Sequence, residues 1–484
     1  MAAFTKDYEH NLALMEKKLR ISESFDLISR PLKIGEEKAS FLFVDGFIKD
    51  EAMGKMMQFL ASSVKKENMQ GVKDAQTFSR QYIPYMEVGF AKDDETVATA
   101  VLSGQVALLI DTFEEAILID ARTYPARGVD EPEVDRVLRG SHDGFVETLV
   151  FNTALIRRHV RDTRLTMEYF QIGSVSKTDV VMCFMEGVVN QKDLQKLRKK
   201  LQSITIPSLT MGQESLSECL FRKQQWYNPF PKTRYTERPD CAASAVAEGR
   251  ILVIVDNSPA VMILPTAIFD FVQDSNDYYF PPLIGSYLRM VRMIVFFLTM
   301  FLTPVWYLLI THPGLIPDWL AFITIKEPNS VPLLVQLLVV ELMIDAIKLA
   351  SLNTPNSLNN AFGVVGALIL GEFAVTAGLF VPEVLLYMAF VSIANFTQPS
   401  FELAYSVKLF RVLLLILTAA FHIWGFVGGI LLMLLIVATT RTALGTSYLY
   451  PLIPFDWVAM KRLLVRRILH RSNALIPTNP QKKE

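Results

Sequence analysis

Three long stretches without a charged side chain constrain most strongly what this chain can fold into. They run from Met293 to Pro317, from Ala350 to Gly371 and from Val412 to Thr440. Uncharged apolar runs of this length are typical of membrane-spanning helices, because a charged side chain is costly in hydrocarbon. Residues 1 to about 285 instead mix charged and apolar side chains, as a soluble protein does. The sequence therefore predicts a soluble N-terminal half followed by a helical membrane domain.

Charge and cysteine content argue against several classes of protein. The formal net charge of −1 provides no bulk field that would attract nucleic acid, so we expect no nucleic-acid partner. The three cysteines, Cys183, Cys219 and Cys241, form no CxxC pair and fit a reduced compartment. Charged residues throughout the first twenty positions leave no apolar core for a signal peptide. The soluble half is therefore expected in the cytoplasm.

A weak internal repeat divides the soluble half. The segments that begin at Phe41 (FLFVDGFIKDEAMGKMMQFL) and Val180 (VVMCFMEGVVNQKDLQKLRKKL) both read as strand, acidic–glycine turn and helix. The segments that begin at Gly104 (GQVALLIDTFEEAILIDAR) and Gly249 (GRILVIVDNSPAVMILPTA) both read as two apolar strands joined by a polar turn. The pattern predicts two similar α/β subdomains, with chance similarity of common strand–turn–helix patterns as the alternative.

The repeat and the charge-free stretches give the predicted domain boundaries. In chain order they are an N-terminal helical arm (1–35), α/β subdomain 1 (36–140), α/β subdomain 2 (141–274), a linker (275–292), a transmembrane domain (293–455) and a basic cytoplasmic tail (456–484). The predicted fold class is thus an α/β cytoplasmic domain of two similar subdomains, followed by an α-helical transmembrane domain.

Basic residues predict the orientation of the membrane domain. Arg289 and Arg292 precede the first apolar stretch, and a run of lysines and arginines follows Trp457. Positive residues stay on the cytoplasmic side, so both termini are expected there and the number of crossings is even. We expect four full crossings plus re-entrant or interfacial segments, with six crossings as the alternative.

The last apolar stretch leaves two interpretations open. Val412 to Thr440 is roughly 43 Å long as a helix, which exceeds the thickness of a bilayer core. It is either one long tilted span or two short ones hinged near Gly425, Gly428 and Gly429.

Acidic residues inside the apolar stretches are the candidate functional residues. Glu372 lies in the middle of AFGVVGALILGEFAVTAGLF, and Glu341 and Asp345 share one helix face with Lys348. A charge at mid-bilayer costs at least ~2.5 kcal/mol, so it persists where it faces a partner, water or the interior of a bundle. Either these acids line a conducting path, or they serve structure alone, protonated or paired with Lys348 and with Ser or Asn groups.

The conducting interpretation assigns residues to two roles. Rings of acidic side chains select cations, and apolar constrictions close pores by dewetting. The candidates for channel lining or ion selection are Glu372, Glu341, Asp345, Val364, Val365 and Thr376. Small residues let helices approach closely in a membrane. The candidates for such packing are Gly363, Ala367, Gly371, Ala374 and Gly378.

Catalytic and cofactor motifs are weak or missing in the sequence. Ser174–Lys177 reads SVSK and matches SxxK, but the companion SDN and KTG motifs of serine acyl-enzymes are missing. The sequence contains neither a GxxxxGK[ST] phosphate loop nor HExxH. We therefore expect no enzyme activity, no cofactor and no metal site. A basic helix end at Arg157, Arg158 and Arg161 either suits the helix dipole or holds the acidic residues of 131–135.

Several long motifs resemble the GerA family, the A subunits of spore germination receptors. They are RGVDEPEVDRVLRGSHDGFVETLVFNTALIRR, IGSVSKTDVV, NPFPKTRYTERPD, EGRILVIVDNSP and GVVGALILGEFAVTAGL. The motif residues in the soluble half are Glu131, Pro132, Arg139, Gly140, Gly144 and Phe145. The chain reads RGSHDGF where typical A subunits read RG-P-x-x-G-F, and it has Asp135 where they usually have Glu. These departures favour a branch of the family other than the classical nutrient receptors.

The resemblance implies a cellular role. Members of the family lie in the inner membrane of bacterial endospores and act in germination, in which monovalent cations are released. A subunits are thought to oligomerise around a central channel and to work with other germination membrane proteins. The expected partners are thus further copies of the chain, germination membrane proteins, membrane lipid and monovalent cations. The expected function is an oligomeric cation channel that acts in or amplifies germination; the alternative is a non-conducting membrane scaffold.

Overall fold

A computed structural model gives the architecture of most of the chain. It describes residues 2–69, 72, 74–122, 140–221, 228–274, 276–326, 330–352 and 374–465. Two α/β subdomains come first in the chain, and a bundle of apolar helices follows them.

Subdomain 1 is a five-stranded antiparallel sheet covered by helices on both faces. Its strands are β1 (Leu27–Ile34), β2 (Glu37–Val44), β3 (Val88–Ala91), β4 (Val106–Ile110) and β5 (Ala116–Ile119), in the spatial order β1-β2-β4-β5-β3. One face carries α1 (Tyr8–Leu19) and α5 (Asp94–Leu102). The other face carries α2 (Asp50–Ser63), α3 (Lys66–Met69) and α4 (Ala75–Tyr82).

Subdomain 2 repeats this arrangement. Its strands are β6 (Leu165–Ile172), β7 (Thr178–Met185), β8 (Arg234–Thr236), β9 (Ile251–Val255) and β10 (Val261–Leu264), in the order β6-β7-β9-β10-β8. Helices α6 (Leu149–His159) and α9 (Pro239–Ala247) cover one face, and α7 (Gln191–Gln202) and α8 (Gln213–Leu220) cover the other.

The shared strand order confirms the prediction of two similar subdomains. The predicted apolar strand pairs are β4 with β5 and β9 with β10, and every residue of these four strands is buried. They read as continuous apolar runs because helices cover both faces of each sheet.

The first sheet begins earlier than the predicted boundary at residue 36. Strand β1 lies within the range assigned to the helical arm and pairs along its whole length with β2, from Leu27 opposite Val44 to Ile34 opposite Glu37. Its sequence LISRPLKI lacks an apolar run because β1 is an edge strand with a half-exposed burial pattern.

A buried ion pair joins the two subdomains. Arg157 on α6 donates to Asp26, which precedes β1, with Nε 2.9 Å from Oδ2, and neither side chain is more than 1% exposed. Ser24 donates to the same carboxylate and accepts a hydrogen bond from the backbone N–H of Met167. Arg157 thus has a structural role between the subdomains, with a partner, Asp26, that neither interpretation of this basic helix end named.

The helices of the C-terminal half are mainly apolar. They are α10 (Asn276–Tyr279), α11 (Pro282–Thr311), α12 (Leu333–Leu352), α13 (Ala374–Thr376), α14 (Pro382–Asn395), α15 (Phe401–Thr439) and α16 (Trp457–Leu464), with short 3-10 turns at Ile268–Phe271, Pro313–Leu315 and Asp318–Ile323. By length and composition, α11 and α15 qualify as membrane spans within the described residues.

Helix α11 starts within the predicted linker rather than after it. The adjacent prolines Pro281 and Pro282 predict a break in the helix there, but Pro282 occupies the first helical turn. Proline is tolerated at that position because its missing N–H would have no intrahelical partner.

Helix α15 is a hairpin of two antiparallel arms, residues 401–421 and 423–439. His422 has a non-helical backbone conformation at φ 52°. A Cβ added to Gly425 would lie 1.9 Å from the backbone oxygen of Leu417, and one on Gly429 would lie 2.6 Å from Leu414. In a straight helix these pairs would be roughly 12 Å and 22 Å apart along the axis. The structure therefore agrees with the second interpretation of this stretch, which is two short helices joined by a hinge.

Contacts between the helices give their directions. Both ends of the hairpin lie beside subdomain 2, and we call this the proximal end of the bundle. At the distal end, His312 after α11 packs against His422, with ring centroids 5.0 Å apart. Helix α12 runs from the distal end to the proximal end, antiparallel to the first arm of α15, because Asp345 pairs with Lys408 and Glu341 with Arg411. Helix α14 runs the same way, because the backbone N–H of Val381, just before its first residue, donates to Gln336 near the start of α12.

Candidate functional site

Four charged side chains meet inside the bundle between α12 and the first arm of α15. The Nζ of Lys408 lies 3.1 Å from Glu341 Oε1, and Lys408 also forms an ion pair with Asp345. The Nη2 of Arg411 donates to Glu341 Oε1 at 2.6 Å, and its Nη1 donates to the carbonyl oxygen of Thr299 on α11 at 2.9 Å. We call Glu341, Asp345, Lys408 and Arg411 the ion-pair cluster.

Helical spacing explains why the four residues meet. Glu341 and Asp345 are four residues apart on α12, while Lys408 and Arg411 are three apart on α15, so each pair lies on one face of its helix. The two helices run antiparallel, which places Asp345 beside Lys408 and Glu341 beside Arg411.

Burial makes the ion-pair cluster a strong constraint on the bundle. Lys408 is 7% exposed, Arg411 is 2% exposed and the side chain of Glu341 is 12% exposed. Removal of one partner from a buried pair typically costs about 3–5 kcal/mol, because the other charge is left uncompensated. In this structure the cluster therefore locks α12 to the hairpin and, through Thr299, to α11.

The partners of the acids differ from the one considered in the structural interpretation. Lys348, on the same helix, has its Nζ 4.9 Å from the ring centroid of Phe396 in a cation–π contact. The ion pairs of Glu341 and Asp345 go instead to Lys408 and Arg411. The sequence offered one signal for these two cations: they directly precede the charge-free stretch that begins at Val412.

The other predicted membrane residues are only partly described. Ala374 is buried and belongs to the same apolar cluster as Trp306 and Leu337; its packing role stays a prediction. Thr376 is exposed, and Gly378 lies in an exposed turn at φ 69° rather than on a helix face, because α13 ends at Thr376. The predicted residues that lie outside the described residues are Glu372, Val364, Val365, Gly363, Ala367 and Gly371.

Two buried arginines connect α11 to the segment before it. The Nε of Arg289 and the Nη1 of Arg292 both lie 3.0 Å from Asp277 Oδ2, and Asp277 is fully buried. Arg292 also pairs with Asp274 at 3.1 Å. These arginines, used above as orientation signals, therefore also fasten α11 to subdomain 2.

The motif residue Gly140 packs against the segment that precedes α11. It has φ 117°, and a Cβ there would lie 2.3 Å from the ring of Tyr279. The Tyr279 hydroxyl donates to Asp240 at 2.7 Å, and the fully buried Arg238 donates to both residues. Burial alone would raise the pKa of Asp240, but the hydrogen bonds from Arg238 and Tyr279 hold it below its usual value.

The remaining motif residues divide between the core and the part of the chain that is not described. Phe145 is fully buried in the core of subdomain 2, and its backbone N–H donates to the carbonyl of Glu237 at 2.8 Å. Gly144 is also buried. Glu131, Pro132 and Arg139 lie outside the described residues.

Comparison with known proteins gives relatives of the whole chain. The family model "Bacillus/Clostridium GerA spore germination protein" matches residues 14–474. Stage V sporulation protein AF of Bacillus subtilis is 35% identical, over 97% of this chain and 96% of that protein. Spore germination protein GerLA of Bacillus cereus is 30% identical, over 81% of this chain and 79% of that protein.

One solved structure is similar to part of this chain. It is the N-terminal domain of the A subunit of the Bacillus megaterium spore germinant receptor GerK3. It is 25% identical, with a TM-score of 0.43, and the match covers 55% of this chain and 96% of that domain.

The relatives confirm the expectation drawn from the sequence motifs. The segments FVDGFIKDEAM and FPPLIGSYLRMVRM predict the branch of stage V sporulation protein AF, and that protein is among the similar proteins found. The family match extends through both subdomains and the helical bundle, and the chain therefore belongs to the GerA family of spore germination proteins.

Proposed function

We propose that the chain is a membrane subunit of a spore germination complex that forms an oligomeric cation channel. In this proposal it acts in or amplifies the germination response, alongside other germination proteins of the spore inner membrane. The observation that carries the proposal is the ion-pair cluster, which places charged groups from two helices inside an otherwise apolar bundle. Ionisable groups at such positions typically mark ion or substrate pathways.

We further propose six crossings, the alternative that the sequence left open. Helices α11, α12 and α14 and the two arms of α15 account for five. The sequence predicts both termini on one side of the membrane, which requires an even number of crossings, so the proposal includes one more. The arms of α15 are roughly 32 Å and 26 Å long, close to the thickness of a bilayer core.

In the proposed channel, Glu372 sets the preference for cations, and Val364 or Val365 forms the apolar constriction. Glu341 and Asp345 remain candidates for the path, but their charges are balanced here by Lys408 and Arg411. They would attract cations only after those pairs separate. The ion-pair cluster thus supports a closed state, and the proposal includes no enzymatic step.

The second candidate function is a non-conducting scaffold. The same cluster favours it to the extent that every charge in it is paired, since a buried network can serve packing alone. In that case the α/β subdomains would recruit partners and the bundle would only anchor them.

Cation flux from liposomes that contain the purified full chain tests the channel. Glu372→Gln should lower the flux without lowering the amount of protein incorporated, whereas the matched control Glu383→Gln should not change it. Equal flux in wild type and Glu372→Gln would remove Glu372 from the mechanism. No flux from the wild type, alone or with co-purified membrane partners, would favour the scaffold.

A further inference from the structure

A short segment of subdomain 2 enters the proximal end of the bundle. It comprises Asn228–Pro231, and we call it the wedge. Phe230 is 4% exposed and stacks on Phe410 of α15, with ring centroids 5.1 Å apart and the planes inclined by 18°. It belongs to a buried cluster with residues of both arms of the hairpin, among them Val407 and Val437.

Hydrogen bonds attach the wedge to both arms. Asn228 Nδ2 donates to Thr440 Oγ1 at 2.6 Å, at the end of the second arm. Ser406, on the first arm, donates to the carbonyl of Pro229. The two prolines of the wedge restrict its backbone, so it can transmit displacement rather than absorb it.

The chain that leaves the hairpin is fastened to the same subdomain. The carbonyls of Ala443 and Leu444 accept hydrogen bonds from Lys200 at 2.7 Å and Lys196 at 3.2 Å, both on α7. The side chains of Ala443 and Leu444 are buried in the core of subdomain 2. Tyr448 is fully buried and donates to the carbonyl of Pro231. Subdomain 2 therefore holds the hairpin where it begins and where it ends.

The wedge contacts the hairpin at the level of the ion-pair cluster. Phe410, which stacks on Phe230, lies between Lys408 and Arg411 in the sequence. A rotation or shift of the first arm at Phe410 therefore moves both cations relative to Glu341 and Asp345 on α12.

We propose that the wedge is a mechanical link by which movement of subdomain 2 makes or breaks the ion-pair cluster. With the wedge seated, the cluster holds α12 against the hairpin. When the wedge is displaced, the ion pairs separate and Glu341 and Asp345 are released. The test of this inference by cation flux rests on the proposed channel function.

A double-mutant comparison of cation flux in liposomes tests the link. Lys408→Met breaks part of the cluster directly, and Phe230→Ala unseats the wedge. Each should raise the resting flux several-fold. The double variant should match Lys408→Met alone, because both changes act through the same contact. Phe59→Ala, which removes a half-exposed phenylalanine of α2 in subdomain 1, is the matched control and should have no effect.

A distance measurement tests the link without requiring conduction. Spin labels on Leu349→Cys of α12 and Leu409→Cys of α15, both exposed positions, report the separation of the two helices, with Cys219 and Cys241 replaced by serine. The distance distribution should shift and broaden in Phe230→Ala and Lys408→Met alike, and stay unchanged in Phe59→Ala. Thr440→Val, which removes one hydrogen bond of the wedge, replaces Phe230→Ala if that variant does not fold.

The two readouts separate failure of the link from failure of the channel. An unchanged spin-label distance in the wedge variants would overturn the link. A double variant whose increase in flux equals the product of the two single increases would also overturn it. A shifted distance in a protein that conducts no cations would keep the link and overturn the proposed channel.

Discussion

The loop before the edge strand differs between the two subdomains, although their sheets have the same strand order. In subdomain 1 this loop precedes β3 and leaves the side chain of Met86 completely exposed. In subdomain 2 it precedes β8 and contains the wedge, which buries Phe230 between helices of the bundle. One fold thus occurs twice, and this loop is one of the features that distinguish the copy that contacts the helical bundle.

The largest expected effect concerns the joint between the two subdomains. Arg157→Ala should lower the free energy of unfolding by about 3–5 kcal/mol, because it leaves Asp26 buried without its cation. Thermal unfolding in detergent should show a clear downward shift of the midpoint. Arg158→Ala is the control: its side chain is 39% exposed, and its contact with Asp143 spans 3.8 Å. We expect the free energy of unfolding of that variant to fall by about 0–1 kcal/mol. Similar midpoints for the two variants would show that the subdomains are held together in another way.

The next effect tests the comparison of the loops directly. Phe230→Ala removes a buried aromatic side chain and should cost about 3 kcal/mol of stability. Met86→Ala removes a fully exposed side chain and should stay within about 0.5 kcal/mol of the wild type. Unfolding midpoints of the two variants in the same detergent check this. If Met86→Ala destabilised as much as Phe230→Ala, the loop of subdomain 1 would also have a buried partner.

A smaller effect concerns the motif residue at the boundary of subdomain 2. Gly140→Ala places a side chain on a left-handed backbone and against the Tyr279 ring. It should lower the free energy of unfolding by more than about 1 kcal/mol. Gly187→Ala is the matched control, since Gly187 has φ 76° but nothing within 4 Å of an added Cβ. A loss for Gly140→Ala no greater than that of the control would mean that its contact with Tyr279 does not contribute to stability.

The smallest effect is a gain confined to subdomain 1. Gly54 lies inside α2, and an added Cβ there would meet nothing within 4 Å. Gly54→Ala should therefore stabilise the helix by about 0.5–1 kcal/mol. Hydrogen exchange of α2 should slow, with no change in exchange across subdomain 2. Slower exchange in both subdomains would show that their stabilities are coupled more tightly than the single joint suggests.

Local patterns predicted much of the fold. The buried strands β4 and β9 read as apolar runs because helices cover both faces of their sheets. Much of α11 and of α15 reads as charge-free stretches, which are typical of membrane spans. The edge strand β1, with Pro31 and alternating polar residues, left no such signature, so the boundary of subdomain 1 was placed too late. Pro282 was interpreted as a break in the helix because sequence alone does not tell the first turn of a helix from its interior.

The candidate site could be predicted only in part. Glu341 and Asp345 stood out because charge is rare in apolar helices, but their partners Lys408 and Arg411 lie more than sixty residues further along the chain. The sequence also offered the hinge near Gly425 and Gly429 only as one of two interpretations. It gave no reason to place Phe230 inside the bundle.

The sequence by itself determined the division into an N-terminal half of mixed composition and an apolar C-terminal half, the duplication of the α/β unit and membership of the GerA family. These properties depend on composition, periodicity and motifs within short windows of the chain. The tertiary structure alone decided which cations balance the acids, that α15 folds back on itself, and that the wedge seats Phe230 on Phe410. Those features depend on residues that are distant in sequence. Their contacts form only once antiparallel packing has placed the helices and the second subdomain side by side.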